Sequence, residues 1–286
     1  MLEVGQSQQK ELARAIADAR RAAGYTQQQL CTEAKLSYST LAKIERGAIK
    51  TPSVFTVATI AAATGTTVEQ LTGIAGANTP AKDYKTSVTG VKFVYFDING
   101  VLVRFFQRAF AKIAEDTGAR PDIIEATFWH YNDVLCKGKL NIDDFNKIIA
   151  KKLHVNSFDW SKYYLSSIDP ITEMSDCLNW VSQHYKIGLM SNIIDGFIAQ
   201  MIKRKLLPDL PYNAIVDSSV EGYIKPEEQV YKIAADKAGV LPEHILLIDD
   251  DRPNLMAAEH LGWRVLWFDD YQPSKSVDKI KKALEF

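Results

Sequence analysis

Cysteine is scarce in this sequence and shows no pattern. Cys31, Cys136 and Cys177 stand far apart with no Cys-x-x-Cys pair, so a reducing, cytoplasmic setting is the simplest reading. Long apolar runs are missing as well. The most apolar window, Val54 to Ala63, is broken by Thr56 and Thr59 and is too short to span a bilayer. The stretch from Met1 to Arg21 is too polar and charged for a secretory signal. Net charge is also small: a formal value of -1 excludes gross coating of nucleic acid, though a local DNA-reading surface stays open. The composition, 47% hydrophobic and 24% charged, is that of an ordinary soluble globular chain, and 286 residues give room for about two domains.

The first segment reads as short helices with tight turns. Leu12, Ala15, Ile16 and Ala19 recur at helical spacing, and Gly24 closes that helix. Thr26 caps a second helix over 27–34, Ser37 caps a third that runs to Arg46, and Gly47 ends it. A fourth follows Thr51-Pro52-Ser53, and a short fifth carries Val68 and Leu71. Five such helices, the second and third joined by about three residues, describe a helix-turn-helix unit. Tyr25-Thr-Gln-Gln-Gln-Leu30, Ser37-Tyr-Ser-Thr-Leu41, Ala42-Lys-Ile-Glu-Arg-Gly47 and Pro52-Ser53 closely resemble the Cro/repressor-like (XRE) DNA-binding family over residues 9–73. Lys35 departs from the glycine usual in that turn, and a positive φ there would cost on the order of 1 kcal/mol. The resemblance implies a third helix lying in the major groove, with Tyr38, Ser39 and Lys43 as candidates for the groove and Ser37 as the cap. It also implies Gln27 and Gln28 beside the DNA backbone at the start of the second helix. The competing reading is a small protein-interaction domain with solvated polar faces. Eight basic residues against six acids up to Ala75 leave only a weak electrostatic footprint, so a homodimer on a palindromic operator is expected.

Residues 76–90, rich in Gly, Pro, Thr and Ser, read as a linker between a domain at 1–75 and another at 91–286. The second domain opens on Phe93-Val-Tyr-Phe96, a short apolar run that stops at Asp97, with Gly100 permitting a sharp exit. Further strands end at Ser191-Asn192, at Asp217, at Asp249-Asp250-Asp251 and at Asp269-Asp270, with helical stretches between them. This alternation implies a doubly wound parallel sheet, so the overall class is multi-domain: an all-α five-helix unit plus an α/β fold. Asp97, Ser191, Lys225 and Asp250 would then converge on one sheet edge.

Phe93-Val-Tyr-Phe-Asp-Ile-Asn-Gly-Val-Leu102, Gly188-Leu-Met-Ser-Asn192, Lys225-Pro226 and Ile245-Leu-Leu-Ile-Asp-Asp-Asp-Arg-Pro-Asn254 resemble the four motifs of the haloacid dehalogenase-like (HAD) hydrolases. The resemblance covers about residues 91–275 and implies a Rossmann-like fold. It implies Asp97 as the nucleophile that accepts a phosphoryl group, Ser191 on the phosphate oxygens and Lys225 offsetting their charge. It implies Mg²⁺ on Asp97, Asp250 and the backbone carbonyl of Asn99, with Asp249, Asn192 and Asn254 supporting, and a phosphorylated small molecule as ligand. The helical stretch at about 104–170 resembles the family's small cap, with Trp129, His130 and Tyr131 either lining the site or packing the cap's own core. Asp251 and Asp269 are expected as helix or turn caps, His130 and His184 as structural, and Cys136, Cys177, Trp160 and Trp180 as filler.

Asn99 complicates this reading. The family's phosphatases carry an acid there that protonates the leaving oxygen and then activates water, and an amide can exchange no proton. A pocket for phosphate and Mg²⁺ with weak or absent turnover is therefore expected. Three explanations stand: a retired enzyme used as a ligand sensor or dimerisation module, an Asp-to-Asn replacement introduced to trap a state, or activation by deamidation of the Asn99-Gly100 pair. Against the last, Asn-Gly is simply a good tight turn. The expectation is a cytoplasmic transcriptional regulator with an impaired HAD-like domain. The alternatives are a working Mg²⁺-dependent phosphatase with an autoregulatory helix-turn-helix and a pure interaction scaffold.

Overall fold

The computed structural model describes residues 3–49, 51–72 and 83–286, and the chain divides into two compact units, Met1–Lys82 and Asp83–Phe286. Of the expected linker, residues 76–82 lie outside the described residues. Its second half differs from a free tether. Lys85 N–H donates to His184 O (2.7 Å), Ser87 N–H to Val91 O (3.0 Å) and Val88 N–H to Glu285 O (2.7 Å), so backbone pairing ties this stretch to the second unit.

The first unit holds α1 (Glu3–Ala22), α2 (Gln27–Glu33), α3 (Tyr38–Glu45), α4 (Val54–Thr64) and α5 (Val68–Thr72). The starts of α2, α3 and α4 follow local chemistry. Thr26 and Gln29 form a reciprocal capping box on α2, and the Ser37 and Ser53 hydroxyls accept from the third amide of α3 and α4. Ile16, Leu30, Leu41, Ile44, Val57 and Ile60 pack as one core. Lys35 does take a left-handed conformation, φ 52°, in the turn between α2 and α3. At the opposite end of these two helices, Glu45 accepts from Arg20 Nε and Gln27 Nε2, both at 2.7 Å, which binds three helices to one carboxylate. Burial alone would raise the Glu45 pKa, but the bonds from Arg20 and Gln27 outweigh it and hold it below the usual carboxylate range. Its stabilising contribution is therefore present above the ordinary Glu range and fades as pH falls through the depressed value. Removing one partner of such an ion pair costs about 3 kcal/mol. In Glu45→Gln, amide exchange across α2 and α3 of the whole chain should therefore accelerate about 100-fold; unchanged protection would show that the network contributes little.

The second unit begins with β1 (Phe93–Phe96), followed by four helices: α6 (Arg108–Thr117), α7 (Pro121–Cys136), α8 (Ile142–Lys152) and α9 (Trp160–Leu165). Then come α10 (Thr172–His184), β2 (Lys186–Ser191), α11 (Phe197–Lys203), β3 (Ala214–Asp217), α12 (Ser218–Glu221) and α13 (Glu228–Ala238). β4 (Ile245–Asp249), α14 (Arg252–His260), β5 (Arg264–Trp267) and α15 (Pro273–Ala283) complete it. The five strands form one parallel sheet in the order β3-β2-β1-β4-β5, with β1 at the centre. β1 is buried on both faces because helices cover both: Val94 and Phe96 join one core cluster, Phe93 and Tyr95 the other. The α6–α9 segment extends the core cluster that holds Val94 and Phe96 with aromatic rings around fully buried Trp160, whose ring stacks on Phe128 with centroids 4.4 Å apart. Trp160 is thus interior, while Trp180 is half-buried and its carbonyl meets His184 Nδ1 at 2.8 Å. Among the described residues, no helix is long and apolar enough to cross a membrane.

Candidate functional site

Parallel strands place their carboxyl ends on one edge, and there the polar residues gather. In register, Phe96 pairs with Leu189 on one side and Ile248 on the other, so Asp97, Ser191, Asp249 and Asp250 emerge side by side. The loop after α12 adds Lys225. Its ammonium is buried, 3.1 Å from Asp97 Oδ1 and in closer ion-pair contact with Asp249 Oδ2. Asn192 fixes the lysine's backbone from both sides, accepting from Lys225 N–H (2.7 Å) and donating to Lys225 O (2.8 Å). Asp249 Oδ1 accepts from Asp251 N–H at 2.8 Å, and Asn254 Nδ2 reaches both Asp249 oxygens at 3.2 and 3.3 Å. Asp249 is therefore fully engaged as an anchor for the lysine. Ser191 Oγ is buried near Asp97, close enough to favour its charged form but without a well-aligned partner.

Charge at this edge is out of balance. Carboxylate oxygens of Asp97, Asp249 and Asp250 lie within 4.8 Å of one another, against one buried ammonium. Burial raises the Asp97 pKa; Lys225 pulls it down and Asp249 pushes it up, leaving it above the usual carboxylate range. Asp250 is pushed up to about 7 by burial and by its two carboxylate neighbours. A divalent cation bound by oxygen would relieve that repulsion, and the donor set suits a hard ion such as Mg²⁺. Gly100 makes room for this arrangement. It has φ +83°, and a Cβ there would fall 2.1 Å from Asp250 Oδ2. Gly100→Ala should cost about 1–2 kcal/mol from the backbone alone, with displacement of Asp250 added, measured as a lower denaturant midpoint. An unchanged midpoint would mean that the turn relaxes freely.

Asn99 is held by a residue that no sequence pattern indicated. The Tyr164 hydroxyl on α9, itself buried, donates to Asn99 Oδ1 at 2.6 Å. Gly100 N–H donates to Val103 O at 2.8 Å, closing the turn beneath it. A cavity of about 380 Å³ opens over this edge. Asp97, Asn99, Ser191, Asn192, Lys225, Asp250 and Asn254 all line it, with Asp249 behind them. From the helical segment it receives Phe105, Phe106, Trp129 and Asn132. His130 and Tyr131 do not line it; they face a separate depression with Asp122 and Lys152, because neighbours on a helix point about 100° apart. Asp251 occupies the cap position of α14 but makes no side-chain cap bond, whereas Asp269 accepts from Tyr271 N–H at 3.1 Å.

In the first unit, Tyr38, Ser39 and Lys43 are exposed on α3, with Ser39 and Lys43 one turn apart on the same face. Ser37 Oγ accepts from Thr40 N–H at 3.1 Å and lies 3.1 Å from Ser39 Oγ. Gln28 is exposed at the start of α2, but Gln27 turns its amide inward to Glu45.

The family model of the haloacid dehalogenase-like hydrolases matches residues 96–268. The chain belongs to that family. Residues 16–71 match the helix-turn-helix family model, so this HAD-like hydrolase domain is joined to a helix-turn-helix domain. Among solved structures, the HAD-like chain is similar to a HAD family enzyme of Bacteroides thetaiotaomicron, in a complex with magnesium and inorganic phosphate. The identity is 22% and the TM-score 0.56, over 63% of this chain and 95% of that one. It is also similar to a HAD-like family hydrolase from Porphyromonas gingivalis, 18% identical with a TM-score of 0.55 over 67% of this chain and 98% of that one. At these identities the likeness concerns the fold. No curated protein matches the chain.

Proposed function

We propose that the chain is a DNA-binding transcriptional regulator whose HAD-like domain binds Mg²⁺ and a phosphorylated small molecule but turns it over slowly. The observation that carries this reading is Asn99: an amide, pinned through Oδ1 by Tyr164, stands where the family's phosphatases have a carboxyl group. Asp97 is the nucleophile, placed beside Lys225 and Ser191, which meet the oxygens of the phosphoryl group. Asp97, Asp250 and the backbone carbonyl of Asn99 would hold Mg²⁺. When bound, the ion neutralises charge on the phosphoryl oxygens. Attack by Asp97 transfers the phosphoryl group to its carboxylate, and the leaving oxygen then needs a proton. Asn99 has none to give, and it cannot deprotonate the water that would hydrolyse the acyl phosphate.

Deamidation of Asn99 would restore the acid, but the folded chain restrains it. The side-chain amide is held by Tyr164, and the Gly100 N–H that would have to attack it is engaged with Val103. Activation by ageing is expected only where that turn opens. The otherwise complete constellation around Asp97 favours the second reading, a working phosphatase with an autoregulatory helix-turn-helix domain.

Three outcomes test the proposal. Mg²⁺ at 100 times its dissociation constant should add about 2.7 kcal/mol to stability, and Asp250→Asn should remove that gain; equal stability with and without Mg²⁺ would refute the metal site. A homodimer should bind a two-fold symmetric DNA site, selected from random sequence, with salt-sensitive affinity unaffected by Asp97→Asn. Lys43→Ala should weaken that binding roughly 5- to 100-fold, the usual worth of a groove contact. Absence of any selected site, or indifference to Lys43→Ala, would leave an interaction scaffold as the better account.

A further inference from the structure

The mouth of the cavity differs in character from its floor. Phe105 and Trp129 lie nearly parallel, 10° between planes with centroids 6.4 Å apart, and Phe106 tilts against the same indole at 6.3 Å. Phe128 braces that indole edge-on at 5.0 Å, which fixes its orientation. Even so, Trp129 remains 48% exposed and is among the residues that line the cavity. The polar groups are just as informative. Among the described residues that line the cavity, Lys225 is the sole cation, and it is already committed to Asp97 and Asp249 at the floor. The remaining charges, Asp250 and Asp251, are negative. With Asp97 and Asp250 assigned to Mg²⁺, the acid left over is Asp251, and the lining offers no second cation to receive another anionic group on the ligand, whereas a flat apolar group would cover the open indole.

Resting on the phosphate-pocket reading, we propose that the ligand is a monophosphate ester with an uncharged, planar apolar moiety, and that Trp129 is the residue that selects it. The phosphoryl group sits at Asp97 and Lys225, and the flat moiety lies against the Phe105–Trp129 platform. Polyphosphates, bisphosphates and phosphorylated acids are disfavoured because the lining holds Asp251 and no second cation.

Calorimetric titration of the whole chain with Mg²⁺ tests this, using probes that cannot be hydrolysed: inorganic phosphate, methylphosphonate, benzylphosphonate and phosphonoacetate. Benzylphosphonate should bind about three- to tenfold tighter than methylphosphonate, the range of one aromatic contact, and phosphonoacetate should bind weakest. Trp129→Ala should reduce the benzyl preference below about twofold while leaving inorganic phosphate unchanged, and Trp129→Phe should retain most of it. If phosphate binds but the benzyl and methyl compounds bind alike, the preference survives Trp129→Ala, or phosphonoacetate binds tightest, the inference fails and the phosphate pocket stands. If inorganic phosphate itself does not bind, the phosphate pocket falls and this inference with it.

Discussion

Asn99→Asp is expected to raise Mg²⁺-dependent hydrolysis of a phosphate monoester by about 10²–10⁴-fold, the usual worth of a general acid and base. The geometry supports the substitution without repacking. Carboxyl and carboxamide are nearly isosteric, so the new side chain keeps one oxygen on the Tyr164 hydroxyl, 2.6 Å away in the present chain, and turns the other toward the cavity. A donor on the first oxygen favours the charged form. The restored group should therefore act well as a base toward water and less well as an acid toward poor leaving groups. The gain should be largest with p-nitrophenyl phosphate, whose leaving group needs little protonation, and adding Tyr164→Phe should narrow the difference between good and poor leaving groups. A gain below tenfold, with the nucleophile and Mg²⁺ binding intact, would show that Asn99 is not what limits the chain.

The second large effect concerns folding as well as binding. Lys225→Met should destabilise the second unit by about 3–5 kcal/mol, the cost of removing one partner from a buried charge pair, and should abolish phosphate binding. The reason is local. The Lys225 ammonium stands between Asp97 and Asp249, and both carboxylates are buried with no other cation beside them among the described residues. Methionine fills the volume without the charge, so packing loss contributes little. Urea unfolding in the presence of EDTA measures the change directly. Asp249→Asn offers a control, since it should loosen Lys225 while relieving part of the carboxylate repulsion, and its penalty should be smaller. Equal stability of Lys225→Met and the unaltered chain would mean that these acids are already neutral at the pH of the measurement.

Much of this architecture is legible in the sequence, for a geometric reason. In a parallel sheet every strand delivers its last residue to the same edge, so motif residues 152 positions apart, Asp97 and Asp249, can be placed together from strand ends alone. Helix starts were legible because Thr26, Ser37 and Ser53 bond their own following amides, a purely local act. The features that escaped depend on tertiary direction. Tyr164 meets Asn99 from 65 residues downstream, and nothing in its own neighbourhood of sequence marks it. Trp129 and Asn132 share a helix face three residues apart, while His130 and Tyr131 between them turn away, a distinction set by how α7 docks. Gln27 looked free to meet DNA, yet Glu45 on α3 claims its amide. The stretch at 85–88 resembled a linker by composition, but the Lys85 and Val88 amides pair with His184 and Glu285, at or just past the ends of helices far away in sequence.

The most direct test of the account is quenched mass spectrometry after mixing fresh protein with Mg²⁺ and acetyl phosphate, with peptide mapping across residues 93–103. Acetyl phosphate needs no proton on its leaving group, so the first step can proceed without an acid at position 99. The account predicts that one phosphoryl group per chain builds up on Asp97 and persists while Asn99 remains an amide, and that in Asn99→Asp it is released rapidly. Steady turnover by the unaltered chain with no build-up on Asp97 would contradict it.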